Sequence, residues 1–185
     1  MSSLAQGDFD VVRHYTPAQC TPHLPETCQI ALDLALYQPD IAQNTGAMLR
    51  LGACLGVPVH IIHPAGFPVS RQTLKRGGLD YVEHAEFHVH DSYAHFTAWR
   101  ESVGRRLVLL TTRAAHSAYE AHYLDGDILM VGRESAGVPD SVADAADLRV
   151  RIPMRHQMRS LNVAMAASLV LGEALRQTDG LASLA

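Results

Sequence analysis

Four short stretches of this chain carry residue types that can build a small-ligand pocket and act on what it holds. The first is Gly132-Arg133-Glu134-Ser135-Ala136-Gly137-Val138-Pro139. Its two glycines flank an acid, so the backbone can turn sharply and approach a ligand closely. It is not a P-loop, because Val138-Pro139 stands where Lys-Ser/Thr is required, and no G-x-G-x-x-G occurs anywhere in the chain. A tight turn with Pro139 opening a helix is the plainer use of the same residues. The second stretch, Ile152-Pro153-Met154, is expected to be extended, since the residue before a proline avoids the helical region. Its backbone groups are then free to meet a flat ring. The third, Arg159-Ser160-Leu161-Asn162, opens an apolar run; Ser160 stands where a helix N-cap is expected, next to unpaired N–H groups and a positive helix end. The fourth comes earlier, as Asn44-Thr45-Gly46 with Arg50 further along the same expected helix.

Two further groups of residues carry weaker signals. His88-x-His90-Asp91 with His95 has a metal-like look, but no second ligand cluster accompanies it, so no metal is expected. Arg71, Lys75, Arg76, Arg113, Arg155 and Arg159 are candidates for contacts to nucleic-acid phosphates, with Tyr81 or Phe67 as stacking partners for bases. Solvated surface charge accounts for each of these basic residues equally well.

Composition sets the limits. A length of 185 residues suits one domain with a sizeable core. Hydrophobic residues make up 48% and charged residues 18%, which is ordinary for a globular protein, and no apolar run is long enough to span a bilayer. The N-terminus does not read as a secretory signal, so a cytoplasmic location is expected. Cys20, Cys28 and Cys54 lack C-x-x-C spacing and suit reduced thiols rather than a disulfide frame or zinc site. A net charge of −4 neither marks nor excludes a nucleic-acid binder, because local patches matter more than the sum. Lys75 is the only lysine; the arginine bias fits GC-rich codons, although arginine's planar fork also suits phosphates.

The elements that must position these residues alternate. Residues 1–28 are polar and proline-dotted and read as an extension; a domain of residues 29–185 follows. Gln29–Tyr37, Val59–Ile62, Leu107–Thr111, Ile128–Val131 and Leu148–Ile152 read as strands, with a short one around Tyr81–Glu83. Asn44–Leu55, Ser70–Arg76, Tyr93–Val103 and Ser160–Gln177 read as helices. This pattern predicts an α/β fold with a mostly parallel sheet flanked by helices. Ligands in such sheets bind beyond the carboxyl ends of the strands, where each of the four stretches begins. The final helix is apolar nearly all round, which suggests a subunit interface.

Taken in order, Asn44-Thr45-Gly46 with Arg50, Gly132-x-Glu134-x-x-Gly137-x-Pro139, and Ile152-Pro153-Met154 with Arg159-Ser160-Leu161-Asn162 resemble the three motifs of the SpoU class of SPOUT RNA 2′-O-methyltransferases. Ala35–Ile41, His60–Phe67, Gly78–Tyr81 and Leu110–Thr112 are similar to the small TrmL-like subgroup, which lacks an appended RNA-binding domain. The resemblance covers about residues 29–177.

The resemblance implies an α/β domain with a deep C-terminal trefoil knot, an obligate homodimer formed through the C-terminal helix and knot region, and S-adenosylmethionine bound within the knot. It implies methylation of the wobble ribose in the anticodon stem-loop of certain tRNAs. Carried over residue by residue, the donor pocket is Leu110, Thr111, Gly132, Glu134, Gly137, Ile152, Met154, Ser160, Leu161 and Asn162. The implied catalytic set is Arg50, Asn44, Ser160 and Glu134, with Arg50 at the reacting ribose, reaching a donor held by the partner subunit. The competing readings are a SpoU-class enzyme for another tRNA position or ribosomal RNA, a non-catalytic RNA-binding knot protein, and a metal-dependent hydrolase built on the histidines.

Overall fold

The computed structural model describes residues 32–70, 74 and 83–184. The expected extension, the helix over Ser70–Arg76 apart from Ser70 and Leu74, and Tyr81 lie outside these. Eleven elements follow in order: β1 (Asp33–Tyr37), α1 (Ala42–Leu55), β2 (Val59–Ile62), β3 (Phe87–His90), α2 (Tyr93–Val103), β4 (Leu107–Leu110), β5 (His116–Ser117), β6 (Ile128–Val131), α3 (Asp140–Asp144), β7 (Leu148–Arg151) and α4 (Val163–Gln177). A short 3-10 turn, Ala182–Leu184, comes last.

The seven strands form one sheet in the order β3-β2-β1-β6-β4-β7-β5. Every neighbouring pair is parallel. All residues of β1, β2 and β6 are buried, as expected for strands with both faces covered. One apolar cluster gathers Leu34, Leu36, Met48, Leu49, Val131, Val170 and Leu171, and so ties β1 and β6 to α1 and α4. The other gathers Ala35, Ile62, Phe96, Leu109, Met130 and Val142 on the opposite face, under α2 and α3. Each large side chain buried in this way contributes about 2 kcal/mol.

Of the short strand expected around Tyr81–Glu83 only Glu83 is described, and it lies in a 3-10 turn; the strand that follows, β3, was not expected. Phe87 and Val89 alternate with His88 and His90 there, a period of two that their metal-like look obscures. β5 has only two residues and gives no sequence signal of its own.

His90 is drawn into the core, not into a metal cluster. Among the described residues no group of three metal-ligating side chains comes together. Asp33, His60 and His90 are instead a buried relay: His60 Nε2 lies 3.0 Å from Asp33 Oδ2, and His60 Nδ1 lies 2.8 Å from His90 Nε2. The carboxylate, which also accepts from Arg105, can only accept. His60 therefore carries its proton on Nε2 and accepts on Nδ1, so neutral His90 must donate from Nε2. Trp99 covers His60 at a ring separation of 4.3 Å, and His88 stacks on it at 5.0 Å.

Burial pushes both histidines down, His90 to about 3, with the neighbouring His60, His88 and His95 adding to its shift. Unfolded histidine titrates near 6.5, so below that pH the unfolded chain takes up protons that the folded chain refuses. Stability is therefore whole above about pH 6.5 and falls as the pH drops from there towards 3, with a slope of up to about 1.4 kcal/mol per pH unit from each histidine. Melting temperatures between pH 7 and pH 4 test this. His90→Gln, which keeps a donor for His60, is expected to flatten the acid limb; a limb parallel to that of the parent would contradict the assignment.

Candidate active site

β1 ends at Tyr37, and the chain turns at once into α1. Gln38 takes a left-handed conformation (φ 46°), Pro39 follows, and the helix starts after Ile41 without a side-chain cap. At β6 the chain enters the glycine hairpin. Arg133 and Gly137 exchange backbone hydrogen bonds of 3.0 and 2.7 Å, and Gly137 has φ +69°. A Cβ on Gly132 would stand 2.8–2.9 Å from the backbone of Gly137, so only glycine lets the two strands of the hairpin close.

The helix expected to begin at Ser160 begins at Val163. Asn162 is its N-cap, and its Oδ1 accepts from the amides of Ala164 (2.9 Å) and Met165 (3.3 Å). Asparagine is a strong cap, and Ser160 is left in the extended approach, exposed and facing the cavity.

These pieces enclose a cavity of about 640 Å³ at the carboxyl ends of β4, β6 and β7. That size is in the range of small-molecule sites, roughly 300–1,000 Å³. All ten residues expected to form a donor pocket line it: Leu110, Thr111, Gly132, Glu134, Gly137, Ile152, Met154, Ser160, Leu161 and Asn162. Asn44 lines it as well, together with Arg113, Arg133, Ser135 and Arg159. It lies beyond the carboxyl ends of parallel strands, the expected place for a ligand in an open sheet of this kind.

Arg50 and Arg155 are absent from this lining. Arg50 is exposed on α1, six residues and so roughly 120° around the helix from Asn44. Arg71, Lys75 and Arg76 fall outside the described residues. Arg113 pairs with Asp140 at 2.8 Å at the mouth of the cavity.

Three side chains fix one another. Glu134 accepts from Asn44 Nδ2 (3.1 Å) and from the amide of Asp40 (2.7 Å). Since a carboxylate only accepts, Asn44 must turn its NH2 group towards it, which aims its oxygen at Asn162 Nδ2, 2.9 Å away. Asn162 is thereby left with its oxygen towards the helix amides. Each orientation follows from the one before, and the series joins the glycine hairpin, α1 and α4 around one wall of the cavity. Glu134 is thus occupied as an acceptor of structural hydrogen bonds.

Asp40 braces the same wall from outside the lining. Its Oδ1 accepts from Arg133 Nε and Nη2, both at 2.8 Å, and its Oδ2 from Ser135 Oγ (2.5 Å) and N (3.2 Å). These bonds, Ser135 first and Arg133 next, hold the carboxyl below the usual carboxylate range. Sequence reading passed over Asp40, which looks like an ordinary turn residue after a proline.

The cavity offers a nucleoside what it needs. Val131, Val150, Ile152, Met154 and Leu161 supply apolar walls, the hairpin and the 150–154 segment supply backbone edges, and Asn44, Thr111 and Arg159 supply polar groups. That donor set fits an adenosine-type group and not a metal.

Comparison with known proteins bears on the same residues. The model of the SpoU rRNA methylase family matches residues 31–172. A tRNA (cytidine(34)-2′-O)-methyltransferase of Beijerinckia indica is 56% identical over 151 residues, which is 82% of this chain and 94% of that protein. The protein of the same description from Escherichia coli K12 is 43% identical over 150 residues, 79% of this chain and 93% of its own. A solved structure described as giving structural insights into the 2-OH methylation of C/U34 on tRNA superposes with a TM-score of 0.74 at 43% identity, covering 80% of this chain and 95% of that one.

Proposed function

The chain belongs to the SpoU rRNA methylase family, and from that premise we propose that it transfers a methyl group from S-adenosylmethionine to the 2′-oxygen of the wobble ribose, nucleotide 34, in the anticodon stem-loop of tRNA. The observation that carries this reading is a cavity lined by residues from each of the three family motifs, with backbone edges and apolar side chains. When bound, the donor supplies an electrophilic methyl on a sulfonium. Leu110, Ile152, Met154 and Leu161 would hold its adenine, with the backbone of Gly132 and Gly137 along the ribose. Asn44 and Asn162, each with a fixed amide orientation, would brace the wall opposite.

A ribose hydroxyl is a weak nucleophile until its proton is polarised. Arg50 keeps its own proton and cannot act as a free base. Its role in this reading is to clamp an RNA phosphate and to stabilise the alkoxide as it develops, with the proton passing towards that phosphate. Arg113 and Arg159 line the cavity and would steer the anticodon loop; Arg155, Arg71, Lys75 and Arg76 are proposed for the same task.

Two copies would act together. Ile41, Met158, Leu161, Met165 and Leu169 are each 42–60% exposed, and all lie at the start of α1, along α4 or on the approach to α4. A run of large apolar side chains of this kind suits burial against a second copy. Arg50, absent from its own cavity, would then serve the partner's.

The proposed trefoil knot has support in the strand order. β5 lies beyond β7, so the connection from β4 to β6 passes around the outside of β7. Ala118 within that connection donates to Arg151, and Gln177 at the end of α4 bonds Ala121 and Tyr123. The chain leaving β7 would return inside that loop to reach its place beside α1. No described helix is long and apolar enough to cross a membrane. A tRNA substrate and the exposed free thiol of Cys54 agree with the expected cytoplasmic location.

The test is methyl transfer from labelled S-adenosylmethionine to tRNA from a strain lacking this gene, with the modified nucleotide mapped. Label on the 2′-oxygen of nucleotide 34 is expected. Label on another nucleotide, or on ribosomal RNA alone, would overturn the substrate.

A further inference from the structure

Asp40 stands where three pieces of chain meet. It lies between β1 and α1, two residues before the helix. By type it could have capped α1, but its carboxylate points away from that helix and into the glycine hairpin. Both oxygens are saturated: Oδ1 by two bonds from the Arg133 guanidinium, Oδ2 by the hydroxyl and amide of Ser135. Its own amide donates to Glu134. Three consecutive residues of the hairpin therefore bond to this one residue.

A third piece presses on it from behind. The amide of Gly66 donates to Pro39 O at 2.8 Å. A Cβ on Gly66 would stand 3.0 Å from Asp40 Cα and 3.1 Å from its carbonyl oxygen. The segment after β2 is thus packed directly on the back of Asp40 and leaves it little room to move. None of these atoms belongs to the lining of the cavity, and Asp40 itself is absent from it, whereas Arg133, Glu134 and Ser135 all face it.

We propose that Asp40 is a positioning residue for the methyl donor: it latches the glycine hairpin to the start of α1, and so sets the width of the donor pocket without touching the donor. This rests on the methyltransferase reading of that cavity. The hairpin has only one pair of backbone hydrogen bonds of its own, between Arg133 and Gly137, and a two-stranded turn is marginal alone. The bonds to Asp40 hold its tip. The carboxylate also orders the hairpin before the donor arrives, which lowers the entropy lost on binding. A solvated ion pair of the ordinary surface kind would do none of this. The difference here is the saturation of both oxygens and the packing of Gly66.

The experiment uses the full chain with Asp40→Asn, Arg133→Met and the double variant. Asparagine keeps the volume and one acceptor but turns an NH2 group on the guanidinium or the serine. Two quantities are read: amide hydrogen exchange of residues 133–137 without donor, and the dissociation constant of S-adenosylmethionine by calorimetry. Asp40→Asn is expected to speed exchange in the hairpin and to weaken donor binding about tenfold, as for a lost charge-assisted bond. The KM for donor should rise in parallel, while the KM for tRNA and the turnover at saturating donor stay within about twofold. The double variant should bind no worse than the weaker single, because both changes open the same latch.

Unchanged exchange with unchanged donor affinity in Asp40→Asn would overturn the proposal, as would losses that multiply in the double variant. If Asp40→Asn does not fold, Ser135→Ala tests the same latch from the hairpin side. A parent protein that binds no donor would sink the methyltransferase reading instead, and the exchange measurement would still decide whether the latch exists.

Discussion

Arg50→Ala is expected to lower methyl transfer by at least about a hundredfold at saturating donor and tRNA, as for removal of a group that meets charge developing in the transition state. Donor affinity should change less than about twofold, because Arg50 is absent from the lining of the cavity in its own chain. This separation of turnover from binding is the signature of a residue that acts on the ribose and not on the donor. Arg50→Lys should recover little, since the ammonium keeps the charge but loses the fork. The second half of the prediction concerns which cavity the arginine serves. In a purified heterodimer of one Arg50→Ala chain and one Gly132→Ala chain, an arginine acting across the interface leaves one site with both defects and one with neither. Such a heterodimer should work at about half the parent rate. If the arginine serves its own chain, each site carries one defect and the heterodimer is as inactive as either variant alone. That outcome would end the shared-site reading and leave the reaction chemistry standing.

Gly132→Ala is expected to abolish measurable donor binding at ordinary concentrations, a loss of at least about a hundredfold. The added Cβ would stand 2.8 Å from the carbonyl carbon and 2.9 Å from the Cα of Gly137. Both contacts are with backbone, which has no rotamer to yield, so the hairpin must open. Opening moves Glu134 and Ser135 together and breaks the series from Glu134 through Asn44 to Asn162. The fold should survive, because β6 ends at Val131 and both apolar clusters lie behind the hairpin. Calorimetric titration with S-adenosylmethionine, beside a far-ultraviolet circular dichroism spectrum, separates the outcomes. A folded variant that binds donor normally would mean that the hairpin is no part of the donor site.

Strands of aliphatic and β-branched residues were legible in the chain because their composition reports burial on both faces. β4 and β6 fall within a residue of the expected ranges for that reason, whereas β7, Leu-Arg-Val-Arg, buries only Val150 and was legible from its alternation. The place of the cavity was legible too, since each motif follows a strand end and parallel sheets bind ligands there; the residues of its lining followed from the resemblance of the motifs to a known family. What the chain hides is partnership. Nothing local says that Asn162 will bond Asn44, 118 positions earlier, or that Asp40 will meet Arg133 and Ser135 across more than 90. The N-cap shows the same limit on a small scale: Ser160 and Asn162 are both good caps by type, and only the approach angle of the chain decides between them. β3 was missed because its histidines invited a chemical reading of what is a structural alternation. Its His90 is an interior residue with a tautomer set two partners away, by Asp33.

The place of β6 in the sheet has a consequence for how the chain is made. It lies between β1 and β4, so the middle of the sheet is completed by one of the last strands to be synthesised. Once residues 33–90 have left the ribosome, β1, β2 and β3 can pair, but the outer edge of β1 has no native neighbour until residues 128–131 emerge. At about 5–20 residues per second, the wait from the end of β1 to the arrival of β6 is roughly 5–20 s. Throughout it, the open edge of an apolar strand presents unpaired amides and carbonyls, the arrangement that recruits foreign strands. The nascent chain, rather than the finished protein, is therefore the form most open to aggregation, and the form for which holding chaperones would matter most.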